Sequence, residues 1–254
     1  MTVETVRTPV TTDPVISVHD VGVRFHRGRR HRSARDFLIK GRRGVRPGEF
    51  WALDGVSFDV HPGESIGVVG RNGHGKSTLL KLIAGVMLPD RGSVEVTAGV
   101  APLIEITGGF VNDLSVRDNI ALTAGLHGMS RAEIAERFDE IVAFAEIEDF
   151  LDTPYKHLSS GMKVRVAFAV ISRLEEPVIL VDEVLAVGDS AFKRKCYDRI
   201  DELLAAGRTF FLVSHSERDL RRFCKRGLYL KQGRLVADGP IEDVLASYEA
   251  DTSS

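Results

Sequence analysis

Eight consecutive residues, Gly70-Arg71-Asn72-Gly73-His74-Gly75-Lys76-Ser77, fit the spacing G-x-x-x-x-G-K-[ST]. Glycines at those positions let successive backbone N–H groups turn inward around an anion, and a helix that starts at Lys76 adds the partial positive charge of its N-terminus. Lys76 can reach β and γ phosphates, Ser77 can place a hydroxyl on Mg²⁺, and Thr78 follows in the same first turn. A second acidic feature, Asp182-Glu183, ends the apolar run Val178-Ile179-Leu180-Val181. Two carboxylates at a strand's C-terminal edge suit metal-bound water and a base for an attacking water, respectively. On its own the pair could equally cap a helix. His215 follows another apolar run, residues 209–214, and gains meaning only because that places it at a third strand end.

The elements around these residues are legible from periodicity. Residues 65–69 read as a buried strand, the glycine-rich loop follows, and residues 76–86 read as a helix stopped by residues 89–92, so the motif sits in a strand–loop–helix unit. Upstream, residues 15–18, 21–25 and 50–60 read as antiparallel strands. Short strands are expected at 93–96 and 100–104. Ser115 with Asp118, and Ser130 with Glu133, have capping-box spacing ahead of helices. Ile134, Phe138, Ile141, Val142 and Ala145 form one apolar stripe. A helical subdomain is therefore expected over residues 115–175. Residues 178–181 and 209–214 read as central strands covered on both faces. Lys231, Gln232 and Gly233 signal a hairpin between 228–230 and 234–237, and residues 240–248 a last helix.

Composition sets the limits. A length of 254 residues with 43% hydrophobic and 28% charged residues suits one large domain, and a net charge of -2 argues against a purely electrostatic nucleic-acid binder. The balance hides a local asymmetry: from Arg24 to Arg46 ten cations face one acid, Asp36. Cys196 and Cys224 have neither disulfide-framework nor zinc spacing and fit a reducing compartment. Residues 1–14 lack an apolar segment of the signal-peptide kind and are expected to form a flexible tail, and 249–254 a C-terminal tail. No apolar run approaches the roughly 20 residues of a spanning helix.

Leu158-Ser159-Ser160-Gly161-Met162-Lys163, ahead of an expected helix at 164–174, resembles the LSGGQ signature of the ABC ATPases. The order of motifs agrees, and the resemblance covers residues 15–248. It implies an α/β fold: a P-loop NTPase, RecA-like core with an N-terminal antiparallel β subdomain and an inserted α-helical subdomain. It also implies ATP and Mg²⁺ as ligands, with Glu183, His215 and Lys76 catalytic and Ser77 and Asp182 on the metal. Ser159, Ser160 and Gly161 would contact the γ phosphate of ATP held by a second copy of the chain, with Asp189 in the D-loop position. Phe25 would stack on adenine, with Phe50 and Trp51 as alternatives. The family's Mg²⁺-contacting glutamine has no counterpart in residues 102–110, where Glu105 is the nearest polar candidate.

Several details resemble the subfamily that exports lipid-linked polysaccharide such as O-antigen, teichoic acid or galactan. They are the P-loop wording, Leu103 to Phe110, the Ser159-Ser160-Gly161-Met162 signature and the run from Asp182 to Asp189. The basic insertion at 26–49 fits that subfamily's extra membrane-proximal helix, and no carbohydrate-binding domain is expected after the last helix. The implied partners are an integral membrane permease, a second copy of the chain and, through the permease, the lipid-linked glycan, with the protein peripheral at the cytoplasmic face of the cell membrane. No nucleic acid is expected: the long coiled coils of repair ATPases and the paired cassettes of translation factors are absent, and both Glu183 and Lys76 argue against a non-hydrolysing module.

Overall fold

The computed structural model describes residues 13–26, 49–103, 109–182 and 190–252. Two sheets organise them. The smaller is antiparallel, in the order β2-β1-β4, from β1 (Ile16–His26), β2 (Glu49–Val60) and β4 (Arg91–Val96). Residues 16–18 and 21–25 belong to one strand. The break expected between them is an irregularity at Asp20, whose φ of 47° shifts the register while its N–H is donated to Ser57 Oγ at 2.8 Å.

The larger sheet runs β5-β6-β7-β3-β8-β9, from β3 (Ser65–Val69), β5 (Val100–Leu103), β6 (Val178–Asp182), β7 (Thr209–Val213), β8 (Arg226–Lys231) and β9 (Arg234–Pro240). All neighbours are parallel except β8 and β9, which form the expected hairpin. Strands β3 and β7 are buried along their whole length, which is why their sequences show no alternation. One core lies between the two sheets and includes Leu79, Leu80 and Ile83 of α1 (Lys76–Ile83); a second covers the opposite face of the larger sheet. Helix α1 ends at Ile83, three residues before the expected position, and beyond it Gly85, with a φ of 70° and an N–H bond to the Leu82 carbonyl, closes the last turn.

The helical subdomain contains α2 (Val116–Leu126), α3 (Arg131–Ala145) and α4 (Ser160–Ile171) around their own apolar cluster. Both caps read from sequence are made. Ser115 accepts from the Asp118 N–H, and Ser130 with Glu133 closes a full capping box. Helix α5 (Ser190–Ala205) belongs by chain order to the sheet region, yet it is joined to the helical subdomain: Phe192 sits edge-on to Phe144 of α3 and Phe168 of α4, and Lys195 and Arg165 both pair with Glu146. Helices α6 (Glu217–Phe223) and α7 (Ile241–Thr252) complete the covered face. Pro240 closes β9 rather than opening the last helix, and α7 continues to Thr252, so residues 249–252 are helical where a tail was expected. Among the described residues no helix is long and apolar enough to cross a membrane.

Candidate nucleotide site

The glycine-rich loop joins β3 to α1, and close approach explains its glycines. A Cβ on Gly70 would lie 2.3 Å from the Leu230 carbonyl oxygen, and one on Gly75, at φ 101°, would lie 2.4 Å from that of Ala52. No other residue type fits either place. Lys76 is 7% exposed, and its Nζ donates to the carbonyls of Gly70 at 2.6 Å and Arg71 at 3.2 Å. A buried ammonium needs such oxygens, because leaving it unpaired inside the protein would cost several kcal/mol or more. Those two bonds also fix the curl of the loop around its own lysine.

Parallel neighbours bring the other groups to the same edge. Strand β7 lies between β6 and β3, so Asp182 at the end of β6, His215 beyond β7 and the loop beyond β3 share the carboxyl edge of the sheet. They line one cavity of about 240 Å³ with Asn72, Gly73, Gly75, Lys76, Ser77 and Thr78. Arg71 is exposed and His74 half-buried beside it. Ser77 and Asp182 supply one hydroxyl and one carboxylate oxygen to this cavity. That hard, sparse donor set fits Mg²⁺, which keeps waters and takes its remaining ligands from phosphates.

The cavity's far wall is aromatic. Phe25 and Phe50 are register partners on β1 and β2, their ring centroids are 6.1 Å apart at 33°, and both line the cavity. Trp51 points elsewhere, with the guanidinium groups of Arg24 and Arg91 over its ring at 5.1 and 5.3 Å. Of the three aromatic candidates, two face the site. Phe25, at 37% exposure, is a large apolar side chain left half-open at its rim.

The signature loop lies outside this cavity. Helix α4 begins at Ser160, four residues earlier than expected, because Ser159 caps it by accepting from the Met162 N–H at 3.2 Å. Ser160 is exposed and Gly161 partly so. The opposite end of α4 is neutralised by arginines: Arg199 donates twice to the Ser172 carbonyl, at 2.8 and 3.1 Å, and Arg137 to the Arg173 carbonyl at 2.7 Å. Behind the loop, Tyr155 stacks on Phe110 at 4.7 Å, and burial pushes its phenol up to about 12.

Sequence reading missed Asn119. Fully buried on α2, it accepts from the Val111 N–H and donates to the carbonyls of Val111, Leu114 and Ser115, so it pins residues 111–115 against the helix. A polar residue on the inward stripe of an amphipathic helix was the available signal. Glu183 and Asp189 fall in residues 183–189, Glu105 in 104–108 and most of the basic insertion in 27–48, all outside the described residues.

With this geometry in place, the comparisons with known proteins are direct. The family profile described as ABC transporter matches residues 53–186. The chain is 44% identical over 199 residues to ABC transporter protein AbcA of Aeromonas salmonicida, covering 78% of this chain and 65% of that one. It is 41% identical over 212 residues to the O-antigen export system ATP-binding protein RfbB of Klebsiella pneumoniae, covering 84% of each. It is also 40% identical to the teichoic acids export ATP-binding protein TagH of Bacillus cereus, over 79% of this chain but 36% of that one. The chain thus spans less than two thirds of AbcA and about a third of TagH. Two solved structures share the fold. One, described as the ATP-binding subunit of an ABC transporter, superposes with a TM-score of 0.74 at 25% identity, covering 92% of this chain and 93% of that one. The other is the dimeric post-hydrolysis state of the ATP-binding cassette MJ0796 bound to ADP and Pi, with a TM-score of 0.72 at 22% identity over 89% and 98%. Family profile, relatives and fold agree with the phosphate loop, the acidic strand end and the capped signature helix: the chain belongs to the ABC transporter family, as one of its ATP-binding cassettes.

Proposed function

We propose that the chain is the ATP-hydrolysing motor of an exporter that moves lipid-linked polysaccharide across the cytoplasmic membrane. The observation that carries the motor is the single cavity in which Lys76, Ser77, Asp182 and His215 meet beneath the Phe25–Phe50 pair. ATP enters with its base against the aromatic wall and its phosphates in the loop. There Lys76 exchanges its carbonyl partners for β and γ oxygens. Ser77 and Asp182 would hold Mg²⁺, which when bound would neutralise charge on the phosphates. Glu183, one residue beyond Asp182, orients and deprotonates the attacking water, and His215 contacts the γ phosphate from the neighbouring strand end. Ser160 and Gly161 present the α4 N-terminus to the γ phosphate bound by a second copy, since they lie outside their own chain's cavity. Asp189, in the D-loop position, would contribute to the site formed with that second copy. Glu105 replaces the missing glutamine.

The cargo assignment draws on the printed functions of RfbB and TagH and on the wording of the motifs. A permease would supply the membrane span, with this chain peripheral at its cytoplasmic face. The basic stretch supports that placement. Its flanking residues His26 and Glu49 are register partners, so the insertion leaves and rejoins the β1–β2 ladder next to the aromatic wall. Its cations would contribute about 1 kcal/mol each against an anionic leaflet.

The test of the motor is Glu183→Gln. It should retain ATP binding while turnover falls at least about 100-fold and a closed dimer accumulates, because only the base is removed. Turnover at the wild-type rate would sink the assignment. The cargo is tested by purifying the chain with its permease and identifying the lipid-linked glycan that stimulates ATP hydrolysis. Replacing Arg29, Arg30, Arg42 and Arg43 with Gln should weaken that stimulation, and an unchanged rate would reject the role of the insertion.

A further inference from the structure

The phosphate loop is pressed from outside by a part of the chain that no motif marks. At the β8–β9 turn, Gln232 and Gly233 have φ angles of 50° and 80°, a two-residue turn with both centres left-handed. Gly233 is buried. Its N–H is donated to the carbonyl of His74, inside the phosphate loop, at 3.3 Å, and its own carbonyl accepts from the Asp54 N–H at 2.8 Å. A Cβ on Gly233 would stand 2.7 Å from the Ala52 carbonyl oxygen, the same oxygen that Gly75 approaches from the other side. Three residues earlier on the hairpin, the Leu230 carbonyl is the atom against which Gly70 packs. Three glycines therefore hold the loop, the hairpin and β2 at backbone contact, with no side chain between them.

The hairpin itself is tied down on both sides. Arg234 pairs with Asp54 of β2 at 2.7 Å, and Lys231 with Asp251 of α7 at 2.6 Å. Such an arrangement leaves the turn little freedom to shift without carrying the His74 carbonyl with it.

We propose that the Gln232–Gly233 turn is a positioning element for ATP binding: Gly233 fixes the height of the phosphate loop over β2 and so the fit of its N–H groups to the phosphates. The proposal rests on the reading that this loop binds ATP. It places Gly233 outside the reacting groups, acting through His74, Gly75 and Ala52.

The experiment measures equilibrium binding of ATP with Mg²⁺ to the full chain. Gly233→Asn tolerates the left-handed backbone but sets a side chain against Ala52. Gly207→Asn is the control, because Gly207 has a φ of 76° with nothing within 4 Å of its added Cβ. We expect Gly233→Asn to bind ATP about tenfold more weakly than Gly207→Asn, the scale on which small misplacements act, with KM raised and kcat held. Equal affinity of the two variants overturns the proposal. Should Gly233→Asn fail to fold, Asp54→Ala decides, since it releases Arg234, together with Arg91, at an exposed edge. A KM for ATP raised about threefold supports the brace, and an unchanged KM overturns it. Failure of the wild-type chain to bind ATP would instead remove the nucleotide reading itself, a result distinct from either.

Discussion

The phosphate loop and the signature loop are both helix N-termini suited to an anion, but their surroundings differ. Behind the phosphate loop there is no spare space: Gly70 and Gly75 touch the backbone of β8 and β2, and Lys76 is buried on the loop's own carbonyls, while Gly73 at its tip is open. At the signature loop the support comes only from behind. Ser159 caps α4, Leu158 is buried, and arginines satisfy the far end of the helix, while an added Cβ on Gly161 would meet nothing within 4 Å. The first loop is completed by its own chain and the second is finished only on the side facing the protein. Loss at the first should damage binding, and loss at the second should damage only what happens when another surface arrives.

The largest effect tests the closed side. Lys76→Ala removes the ammonium from phosphate and loop alike, and ATP turnover should fall by at least about 100- to 1,000-fold with nucleotide affinity lost in parallel. Titration of ATP binding separates this from a purely chemical defect. Next, Gly161→Asp puts a carboxylate where a γ phosphate should meet α4. Turnover should fall about 100-fold while the chain's own ATP affinity and melting temperature stay at wild type, because the open surroundings accept the side chain. A parallel loss of affinity would erase the contrast between the loops. Smaller still, Ser159→Ala deletes a cap and should lower stability by about 1 kcal/mol in chemical denaturation, with affinity kept.

The mildest effect is that of acid on the two sides together. Arg234, with Arg91, holds the Asp54 carboxyl below its ordinary 3.8, and Lys195, with Arg165, holds Glu146 below 4.5. Both are lowered in the folded state, so their contribution is complete above those ordinary values and fades as pH falls through the lower folded ones. The contribution of these two carboxylates to the melting temperature should be constant from pH 7 to about 5 and fall below about 4.5, and Glu146→Gln should flatten the signature-side part of that drop. An unaltered acid profile in that variant would show that Glu146 contributes nothing.

Local signals made much of this readable. The phosphate loop is eight contiguous residues whose spacing is its own geometry, and Ser115 and Ser130 announce helices through bonds three residues long. The carboxyl-edge cluster needed only strand order, since parallel strands deliver Asp182 and His215 to one side. Less visible were features set by register or distant contact. The register shift between Val23 and Arg24 sets Phe50 opposite Phe25 and Trp51 opposite Arg24, and nothing in the alternation of β2 records it. Gly233 lies 159 positions beyond His74 (233 minus 74), so its bond to that residue leaves no trace in local sequence. The start of α4 at Ser160 was misplaced because the signature reads as a loop, while Ser159 had already begun the helix.

The ring of Phe192 against Phe144 and Phe168, with Glu146 gripping Lys195 and Arg165, carries a consequence for recombination. A chimera that exchanges residues 115–175 with a relative would leave α5 facing the donor's side chains in place of Phe144, Phe168 and Glu146. The exchangeable unit is discontinuous: the helical subdomain together with Ser190–Ala205. Grafts cut at those borders should inherit the donor's signature loop intact, whereas grafts cut at the contiguous border would have to rebuild an aromatic seam from unmatched halves.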